Sequence, residues 1–330
     1  MSRSECVLCL EGRNSLRTDR RIVITGPTGA IGMALIRRCM EEKIHVVAVC
    51  HIKSSRIAQI PQNPYVHIVE SDLADLRRLD RKDLGLAEMD RVDTFYHLAW
   101  EGTTGASRDD MPLQIRNIQY TIEAVELAHR LGCDTFIGAG SQAEYGRVEG
   151  ILTARTPVFP ENGYGMAKLC AGQMSRQRCS ALGMRHIWVR ILSVYGPYDG
   201  QASMVMSTIR KLAGGERACF TPGEQMWDYL YSADAAEAML LVAERGIHGK
   251  VYVLGSGQVK PLKDYILQIR QAVEAQNGSA GELGLGDLPY SEKQVMYLGA
   301  DLAELRQDTG FEPGVTFEEG IRRTVSSVLE

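Results

Sequence analysis

The sequence predicts an α/β protein with a doubly wound parallel sheet and a smaller, discontinuous C-terminal lobe. Strand-like apolar segments alternate with helix-like segments from Arg21 onward, and this alternation implies parallel strands with helices on both faces of the sheet. A glycine-rich turn, Gly26-x-x-Gly29-x-x-Gly32, also stands between the first strand and the first helix. Together these two observations predict a sheet that binds a ligand beyond the carboxyl ends of its strands.

Composition narrows the class of protein. The chain has 330 residues, of which 45% are apolar and 24% charged, as in folded globular proteins. A net charge of −4 gives no reason to expect a nucleic-acid partner, and no apolar run is long enough to span a membrane. Residues 1–18 lack the apolar core of a signal peptide, so we expect an N-terminal extension on a cytoplasmic protein. Cys6-x-x-Cys9 has no second ligand pair, and no metal site is expected.

The first strand, Arg21–Ile24, and the helix from Met33 to Glu42 enclose the glycine turn. Backbone N–H groups and the positive end of a helix dipole meet there, which suits a pyrophosphate. We expect the first glycine to allow the turn, the second to admit a phosphate, and the third to let the helix approach the strand. The turn alone would also fit an ordinary βα connection. The cofactor-binding residues predicted here are Gly26, Thr28, Gly29, Ala30, Ile31 and Gly32.

The second strand, Ile44–Cys50, ends without the carboxylate that would accept hydrogen bonds from an adenosine ribose. Cations and hydroxyls follow it instead, and these suit a 2′-phosphate. The sequence therefore favours NADP over NAD, and a solvated basic loop is the alternative. The residues concerned are His51, Lys53, Ser54 and Arg56.

Further strands are predicted at 65–69, 91–99 and 134–140, with a long helix from 111 to 131. The carboxyl ends of parallel strands share one edge of the sheet. Gly26, Asp72, Ala99 and Ser141 should therefore collect along one rim.

Tyr164 and Lys168 are four residues apart and share a helix face near this rim. An ammonium group about 4 Å from a phenol, at an effective dielectric of ~20, stabilises the phenolate by about 4 kcal/mol. That is about three pKa units before desolvation. Such a tyrosine can exchange a proton with a sugar hydroxyl or ketone while Ser141 binds the same oxygen. A nicotinamide would exchange the hydride. Tyr-x-x-x-Lys alone is also common on helix surfaces.

With these motifs assembled, the chain resembles the extended short-chain dehydrogenase/reductases of the nucleotide-sugar epimerase/dehydratase/reductase group, from about residue 21 to 325. The motifs are Thr25-Gly-Pro-Thr-Gly-Ala-Ile-Gly32, Asp72-Leu73, His97-Leu-Ala99, Ser141-Gln-Ala-Glu-Tyr-Gly146, Tyr164-x-x-x-Lys168 and Arg190-Ile-Leu-Ser-Val-Tyr-Gly-Pro197.

The resemblance implies a Rossmann sheet and a catalytic triad of Ser141, Tyr164 and Lys168. It implies that Tyr164 and Lys168 also contact the cofactor, with Lys168 on the nicotinamide ribose, and that Asn117 orders a proton path. The remaining cofactor contacts that it implies are Asp72, Leu73, Leu98, Ala99 and Leu192.

Three departures from the family pattern bear on the reaction. The resemblance implies Thr-Asp-Glu in dehydratases of the group, where this chain has Ser141-Gln142-Ala143. We therefore argue against a 4,6-dehydratase. Trp227 replaces an arginine that contacts the sugar nucleotide, so either Arg210 or Arg306 clamps the diphosphate or the substrate differs. The Trp100 loop is expected to shape the sugar pocket, or else is a longer surface loop. The substrate-binding residues are predicted as Trp100, Gln142 and Trp227.

The sequence predicts residues 19–195 and 233–259 as the dinucleotide-binding domain, and residues 196–232 and 260–330 as the substrate lobe. In the lobe, helices are expected at 298–310 and 316–329, and a loop at 278–289.

The predicted activity is reduction of a 4-keto nucleotide-diphosphate sugar by NADPH, with Tyr164 as the proton donor. The alternatives are an NAD-dependent nucleotide-sugar 4-epimerase and a non-catalytic nucleotide-binding regulator. No nucleic-acid or membrane partner is expected. A homodimer through the helices at 111–131 and 164–182 is expected from the resemblance.

Overall fold

The computed structural model describes residues 20–330. The predicted N-terminal extension, with Cys6 and Cys9, lies outside the described residues. Within residues 20–330, none of the helices combines the length and apolar character that a membrane span requires.

Within the described residues, the secondary structure begins with a strand and ends with a helix. The strands are β1 (Arg21–Thr25), β2 (His45–Cys50), β3 (Val66–Glu70), β4 (Thr94–His97), β5 (Thr135–Ser141), β6 (Arg185–Ile191), β7 (Ser193–Tyr195), β8 (Ala218–Phe220), β9 (Met226–Tyr231), β10 (Val251–Leu254), β11 (Val259–Pro261) and β12 (Leu283–Leu285). The α-helices are α1 (Ala30–Glu41), α2 (Met111–Arg130), α3 (Gly163–Ala181), α4 (Met204–Ala213), α5 (Ser232–Arg245), α6 (Leu262–Asn277), α7 (Ala303–Thr309) and α8 (Phe317–Leu329).

The main sheet confirms the predicted fold class. Its strands run in the order β10-β6-β5-β4-β1-β2-β3, and every adjacent pair is parallel. The chain order reverses between β1 and β4, which makes their carboxyl ends the switch point where such sheets bind ligands. β10 joins the sheet beside β6, after the chain has left it to form part of the lobe.

Alternating side chains of β1 explain why helices cover both faces of the sheet. Ile22 and Ile24 belong to an apolar cluster shared with α1 and α5, whereas Val23 belongs to another shared with α2 and α3. A third cluster is built largely from α4, α6 and α8. Each face of the sheet is therefore buried, as the nearly continuous apolar runs of its strands predict.

Two glycines let β5 pack against a large aromatic side chain of the neighbouring strand. A Cβ atom on Gly138 would lie 2.2 Å from the Trp188 ring, and one on Gly140 would lie 2.4 Å from Nε1 of the same indole. These glycines leave the space that Trp188 fills. All seven residues of β5 are buried, and the strand delivers Ser141 to the rim as its last residue.

Helix α3 places two of the predicted catalytic residues in its first turns. Asn162 caps the helix, with its Oδ1 accepting a hydrogen bond of 2.8 Å from the Gly165 backbone N–H. Tyr164 therefore lies in the first turn and Lys168 lies one turn later on the same face.

The predicted helix at 298–310 is wrong in its first half. Leu298 donates its N–H to the Met226 carbonyl at the edge of β9, and Ala300 forms a bridge with Leu152, so this stretch is extended. Only α7 is helical there, and its Leu305 packs into the apolar cluster of the main sheet. The predicted loop at 278–289 also contains β12, which pairs with β8. The division into domain and lobe stays a prediction.

Candidate active site

The glycine turn between β1 and α1 is shaped by close backbone contacts. Gly26 has φ +71°, and a Cβ atom there would lie 2.6 Å from the Ala99 backbone nitrogen. A Cβ atom on Gly32 would lie 2.6 Å from the Pro27 backbone, so this glycine makes room for the turn itself rather than for β1. A Cβ atom on Gly29 would have no neighbouring heavy atom within 4 Å among the described residues, and α1 begins at the next residue. The helix N-terminus is thus accessible to an anion.

A cleft of about 280 Å³ joins this turn to the end of β5. It brings together eleven of the predicted site residues, although Asp72 and Ala99 of the predicted rim do not line it. The predicted residues that line it are Gly26, Gly29, Ala30, Ile31, Gly32, Leu98, Trp100, Ser141, Tyr164, Lys168 and Leu192. The turn and the predicted triad therefore face a common space.

The predicted triad is assembled within hydrogen-bonding reach of the cleft. The Tyr164 phenol and the Ser141 side chain both line the cleft, and Ser141 lies near enough to act on the pKa of the phenol. Lys168 Nζ donates a 2.7 Å hydrogen bond to the Ala139 carbonyl and lies 3.8 Å from the centre of the Trp100 ring. Nζ is 5.9 Å from the centre of the Tyr164 ring. The lysine thus contacts the Trp100 loop more closely than it contacts the phenol.

The pKa of Tyr164 corrects the sequence prediction that Lys168 lowers it. Burial raises the pKa of Tyr164 above its ordinary value; its hydrogen bond with Ser141 and the charge of Arg108 act in the opposite direction. Burial also lowers the pKa of Lys168 to about 7, while Glu144 acts to raise it. Desolvation outweighs attraction for both groups because they lie together at the base of the cleft.

Arg108 is a site residue that the sequence analysis missed. Its guanidinium carbon lies 4.6 Å from the centre of the Tyr164 ring, a distance typical of a cation–π contact. Arg108 belongs to a single helical turn at 105–109, between β4 and α2. Its position depends on how this loop folds over α3, and no local motif signals it.

Glu144 is a second missed residue, and the chain does contain a signal for it. Ser141-x-x-Glu144 matches the capping box, and both reciprocal bonds are present. The fully buried Glu144 carboxylate accepts hydrogen bonds from the Ser141 backbone N–H at 2.8 Å and from Trp188 Nε1 at 3.0 Å. Its other oxygen accepts a 2.6 Å bond from Arg190 Nε. This network fixes the backbone that presents Ser141.

The Trp100 loop is tied to α2 by amide side chains. Trp100 Nε1 donates to Gln114 Oε1 at 2.9 Å. Asn117 donates to the Glu101 carbonyl at 2.9 Å and accepts from the Glu101 N–H at 3.0 Å. Asn117 therefore anchors the loop that covers Lys168, and its predicted part in a proton path stays a prediction.

The segments that follow β2 and β3 bring His51 close to Asp72. Asp72 Oδ1 is buried without a hydrogen-bond donor, and His51 Nε2 approaches it to 3.3 Å. An adenine amino group is a donor of the kind that this oxygen lacks.

The loop after β2 reaches the glycine turn through Arg56. Arg56 Nη1 donates to the Thr28 carbonyl at 3.4 Å and to the Tyr198 carbonyl at 3.3 Å, and its backbone N–H donates to Ser54 Oγ. Lys53 has φ +57° and donates its backbone N–H to Glu70. Of the predicted basic residues, Arg56 thus contacts the turn, whereas Lys53 is held at the end of β3. The Ala99 backbone packs against Gly26 of the glycine turn, and Leu73 begins a short helical turn after β3.

Asp199 also lines the cleft, and the sequence analysis missed it. Burial raises the pKa of this carboxyl, against hydrogen bonds from Ser203 and the Gly200 backbone and the positive charge of Arg56. Asp199 therefore places a titratable carboxyl group of the loop after β7 on the wall of the cleft.

The three predicted substrate residues lie in different places. Trp100 lines the cleft, and Gln142 lines an adjacent cavity beyond Ser141. Trp227 lies in β9 and donates its indole N–H to Ser193 Oγ at 2.8 Å, packed between two apolar clusters rather than along the cleft. Its predicted contact with substrate therefore lacks support from this geometry.

Of the two arginines predicted as diphosphate clamps, Arg306 is paired with Glu312 at 2.8 Å. Arg210 is exposed near the end of α4. Neither lines the cleft or the cavity beside Gln142. Within residues 20–330, no three His, Cys, Asp or Glu side chains are grouped to hold a metal ion.

Comparison with known proteins gives relatives along nearly the whole chain. The curated dTDP-glucose 4,6-dehydratase of Neisseria meningitidis serogroup B is 25% identical, covering 94% of this chain and 94% of its own. The UDP-glucose 4-epimerase of Azospirillum brasilense is 26% identical, covering 93% and 91%. A dTDP-4-dehydro-6-deoxyglucose reductase of Escherichia coli is 22% identical, covering 93% and 97%.

Solved structures share the fold. The UDP-N-acetylglucosamine 4-epimerase of Methanobrevibacter ruminantium superposes with a TM-score of 0.81 at 21% identity, covering 95% of this chain and 99% of its own. The UDP-glucuronic acid 4-epimerase of Bacillus cereus in complex with NAD superposes with a TM-score of 0.77 at 20% identity, covering 94% and 98%.

The family assignment rests on a sequence model that spans the sheet and the predicted triad. The model of the NAD dependent epimerase/dehydratase family matches residues 22–255, which is more than half of the chain. The match includes the glycine turn, Ser141, Tyr164 and Lys168, so it confirms the resemblance predicted from these motifs. The chain belongs to the NAD-dependent epimerase/dehydratase family of extended short-chain dehydrogenases/reductases.

Proposed function

We propose that the protein reduces a 4-keto nucleotide-diphosphate sugar with NADPH and that Tyr164 donates the proton. The observation that carries this proposal is that Ser141 and Tyr164 line the same cleft as the glycine turn. A donor phenol, a second hydroxyl and an anion-accepting backbone are the parts that carbonyl reduction requires.

The residues present fit a dinucleotide. The space beside Gly29 suits a pyrophosphate, and the Oδ1 of Asp72, which has no hydrogen-bond partner within residues 20–330, suits an adenine amino group. When bound, the nicotinamide supplies or accepts the hydride.

The chain's own residues orient and protonate the substrate oxygen. Ser141 binds the carbonyl oxygen together with Tyr164, which gives that oxygen its proton as the alcohol forms. A raised pKa of Tyr164 suits a proton donor, because the phenol stays protonated at neutral pH. Lys168 lies one helical turn below, held by the Ala139 carbonyl, and contributes positive charge when protonated.

Elimination of water is not part of this proposal. Gln142 and Ala143 stand at the positions where dehydratases of the group carry two acidic residues. Neither side chain can act as an acid or base. Glu144 is adjacent in sequence, but its carboxylate is fully engaged with the Ser141 backbone, Trp188 and Arg190.

The rival proposal is a 4-epimerase, which returns the hydride to the other face of the same carbon. It is favoured by the epimerases among the similar structures. The two activities differ in their cofactor demand, because a reductase consumes its cofactor and an epimerase does not.

The deciding experiment is a screen of 4-keto nucleotide sugars for oxidation of added NADPH, followed by absorbance at the nicotinamide band. Stoichiometric oxidation with formation of the alcohol is the expected result. Purified protein that carries NAD and interconverts 4-epimers with no added cofactor would replace the reductase proposal with the epimerase one. Nucleotide-sugar binding without any turnover would leave the regulator.

We further propose NADP as the preferred cofactor, because Arg56 bridges the glycine turn and the Tyr198 loop beside a strand end without a carboxylate. Replacing Arg56 with glutamine should raise the KM for NADPH by about tenfold or more, as expected for one hydrogen bond to a charged group. The KM for NADH should change little, and steady-state kinetics with both cofactors measure the difference. Arg217→Gln, in an ion pair of the lobe, is the control. Equal effects on both cofactors would contradict the NADP preference.

We also propose a homodimer through α2 and α3. These packed helices carry exposed large apolar side chains, and burying them in a partner is favourable. The residues are Met111, Ile115, Met166 and Met174, each at least 47% exposed. Sedimentation should show twice the chain mass, and Met174→Glu should give the single-chain mass. Leu267→Glu, an exposed apolar position on α6, should leave the assembly intact.

A further inference from the structure

A second cavity lies directly behind the catalytic serine. It has a volume of about 320 Å³ and is reached past Gln142 and Ala143, the two residues that follow Ser141. The loop that carries Arg108 forms one wall, and the segment around Lys293 forms another. The cavity therefore adjoins the place where the reacting carbon must lie, on the side away from the glycine turn.

The charges around this cavity leave an excess of positive charge. Arg147 and Glu161 neutralise each other through bonds of 2.8 and 3.1 Å. Asp109 accepts a hydrogen bond from the Gly163 backbone at 2.9 Å. Arg108 and Lys293 complete the ionisable lining, and within residues 20–330 neither has a carboxylate at ion-pair distance.

The Arg108 guanidinium is held in place without being neutralised. Its carbon lies 4.6 Å from the centre of the Tyr164 ring, and its side chain is partly buried. A cation–π contact with the ring does not use up the guanidinium N–H groups, which can still donate to an acceptor. A partly buried cation with unused donors is stabilised when an anion binds to it.

The neighbouring side chains complete a donor set for an anion. The partly buried Gln142 side chain offers an amide N–H₂ on the same cavity wall, and Lys293 offers an exposed ammonium group at the mouth. The guanidinium, amide and ammonium groups around this cavity match the oxygens of a carboxylate or a phosphate.

We propose that Arg108, Gln142 and Lys293 form a subsite that binds a negatively charged group of the substrate beside the reacting carbon. This inference rests on the proposed function, since it takes the ligand to be the substrate of the Ser141–Tyr164 site. The group is either a carboxylate on the sugar ring or a phosphate of the nucleotide. Both would bind the same donors, and ligands that carry one or both of them distinguish the two sources.

The experiment measures binding rather than turnover. Dissociation constants are determined by calorimetry at low ionic strength for inorganic pyrophosphate, D-glucuronate, UDP-glucose and UDP-glucuronic acid, with D-glucose as the neutral reference. Wild type is compared with Arg108→Gln, so that any binding at the glycine turn cancels. Arg155→Gln removes a charge from an exposed loop and is the matched control.

Arg108→Gln should weaken binding of at least one anionic probe by about tenfold or more, the usual effect of removing a hydrogen bond to a charged group. Arg108→Lys should recover part of it, and Lys293→Gln should weaken binding less because Lys293 is exposed. A loss confined to the two uronates identifies a ring carboxylate. A loss with pyrophosphate and UDP-glucose identifies a phosphate.

Two results would overturn the subsite. One is a wild-type protein that binds none of the anions more tightly than D-glucose. The other is an Arg108→Gln variant that binds all of them as wild type does. Failure of the proposed function is separate, because NADPH oxidation can be absent while these binding differences remain, and present while they are not.

Discussion

Tyr164→Phe should lower turnover by about 10²–10⁴-fold, the usual contribution of a positioned proton donor. The phenol and Ser141 both line the cleft that contains the glycine turn. Phenylalanine keeps the ring that stacks under Arg108 and meets Trp100 edge-on, so packing and cofactor binding should change little. Single-turnover kinetics with saturating cofactor would separate the chemical step from binding.

A matched control is Tyr65→Phe, which removes a hydroxyl group at the start of β3, away from the cleft. Ser141→Ala should also slow the chemical step, because it removes the second hydroxyl group that binds the substrate oxygen. If Tyr164→Phe left the turnover of every accepted substrate unchanged, the proton donor would have to be another group.

The second large effect is expected on stability. Glu144→Ala should lower the free energy of unfolding by about 3–5 kcal/mol, because it leaves Arg190 charged and unpaired in the interior. Arg190 and Glu144 are 4% and 0% exposed, so water cannot take the place of the lost carboxylate. Trp188 Nε1 and the Ser141 N–H lose their acceptor as well. Urea denaturation of the two proteins would measure the difference.

Glu161→Gln provides the comparison for this effect. It breaks an ion pair with Arg147 that is about a third or more exposed on both sides, and such pairs contribute at most about 1 kcal/mol. Removing both charges, as Glu144→Ala with Arg190→Met, should recover part of the lost stability, since the unpaired cation is then gone. Equal losses for Glu144→Ala and Glu161→Gln would contradict the buried network.

The main sheet and its rim could be predicted because their causes are local. The alternation of apolar strands with helices along the chain specifies parallel pairing. Gly26 marks a turn that only a residue without a side chain can make against Ala99. Ser141, Tyr164 and Lys168 follow from strand ends and helix periodicity. Glu144 was missed, although the capping box is a local signal for it. Its bonds to Trp188 and Arg190 depend on a strand that lies 40 or more residues further along.

Other features depend on contacts between distant segments. Arg108 reaches Tyr164 only because the loop after β4 folds over α3, and nothing in the local sequence indicates this. The direction of the Tyr164 pKa shift was wrong because burial, which spacing does not reveal, outweighs nearby positive charge. Residues 298–302 are predicted as helix, but the helix begins only at Ala303, because Leu298 pairs with the edge of β9 and Ala300 with Leu152.

The packing of Trp188 into β5 restricts how this sheet can vary among related proteins. The indole occupies the volume that side chains at Gly138 and Gly140 would need, and it also donates to the Glu144 carboxylate. These positions should therefore covary: a homologue with alanine at either glycine must carry a smaller residue in place of the indole. Such a homologue would lose one donor to the carboxylate and would have to replace it or change the acid.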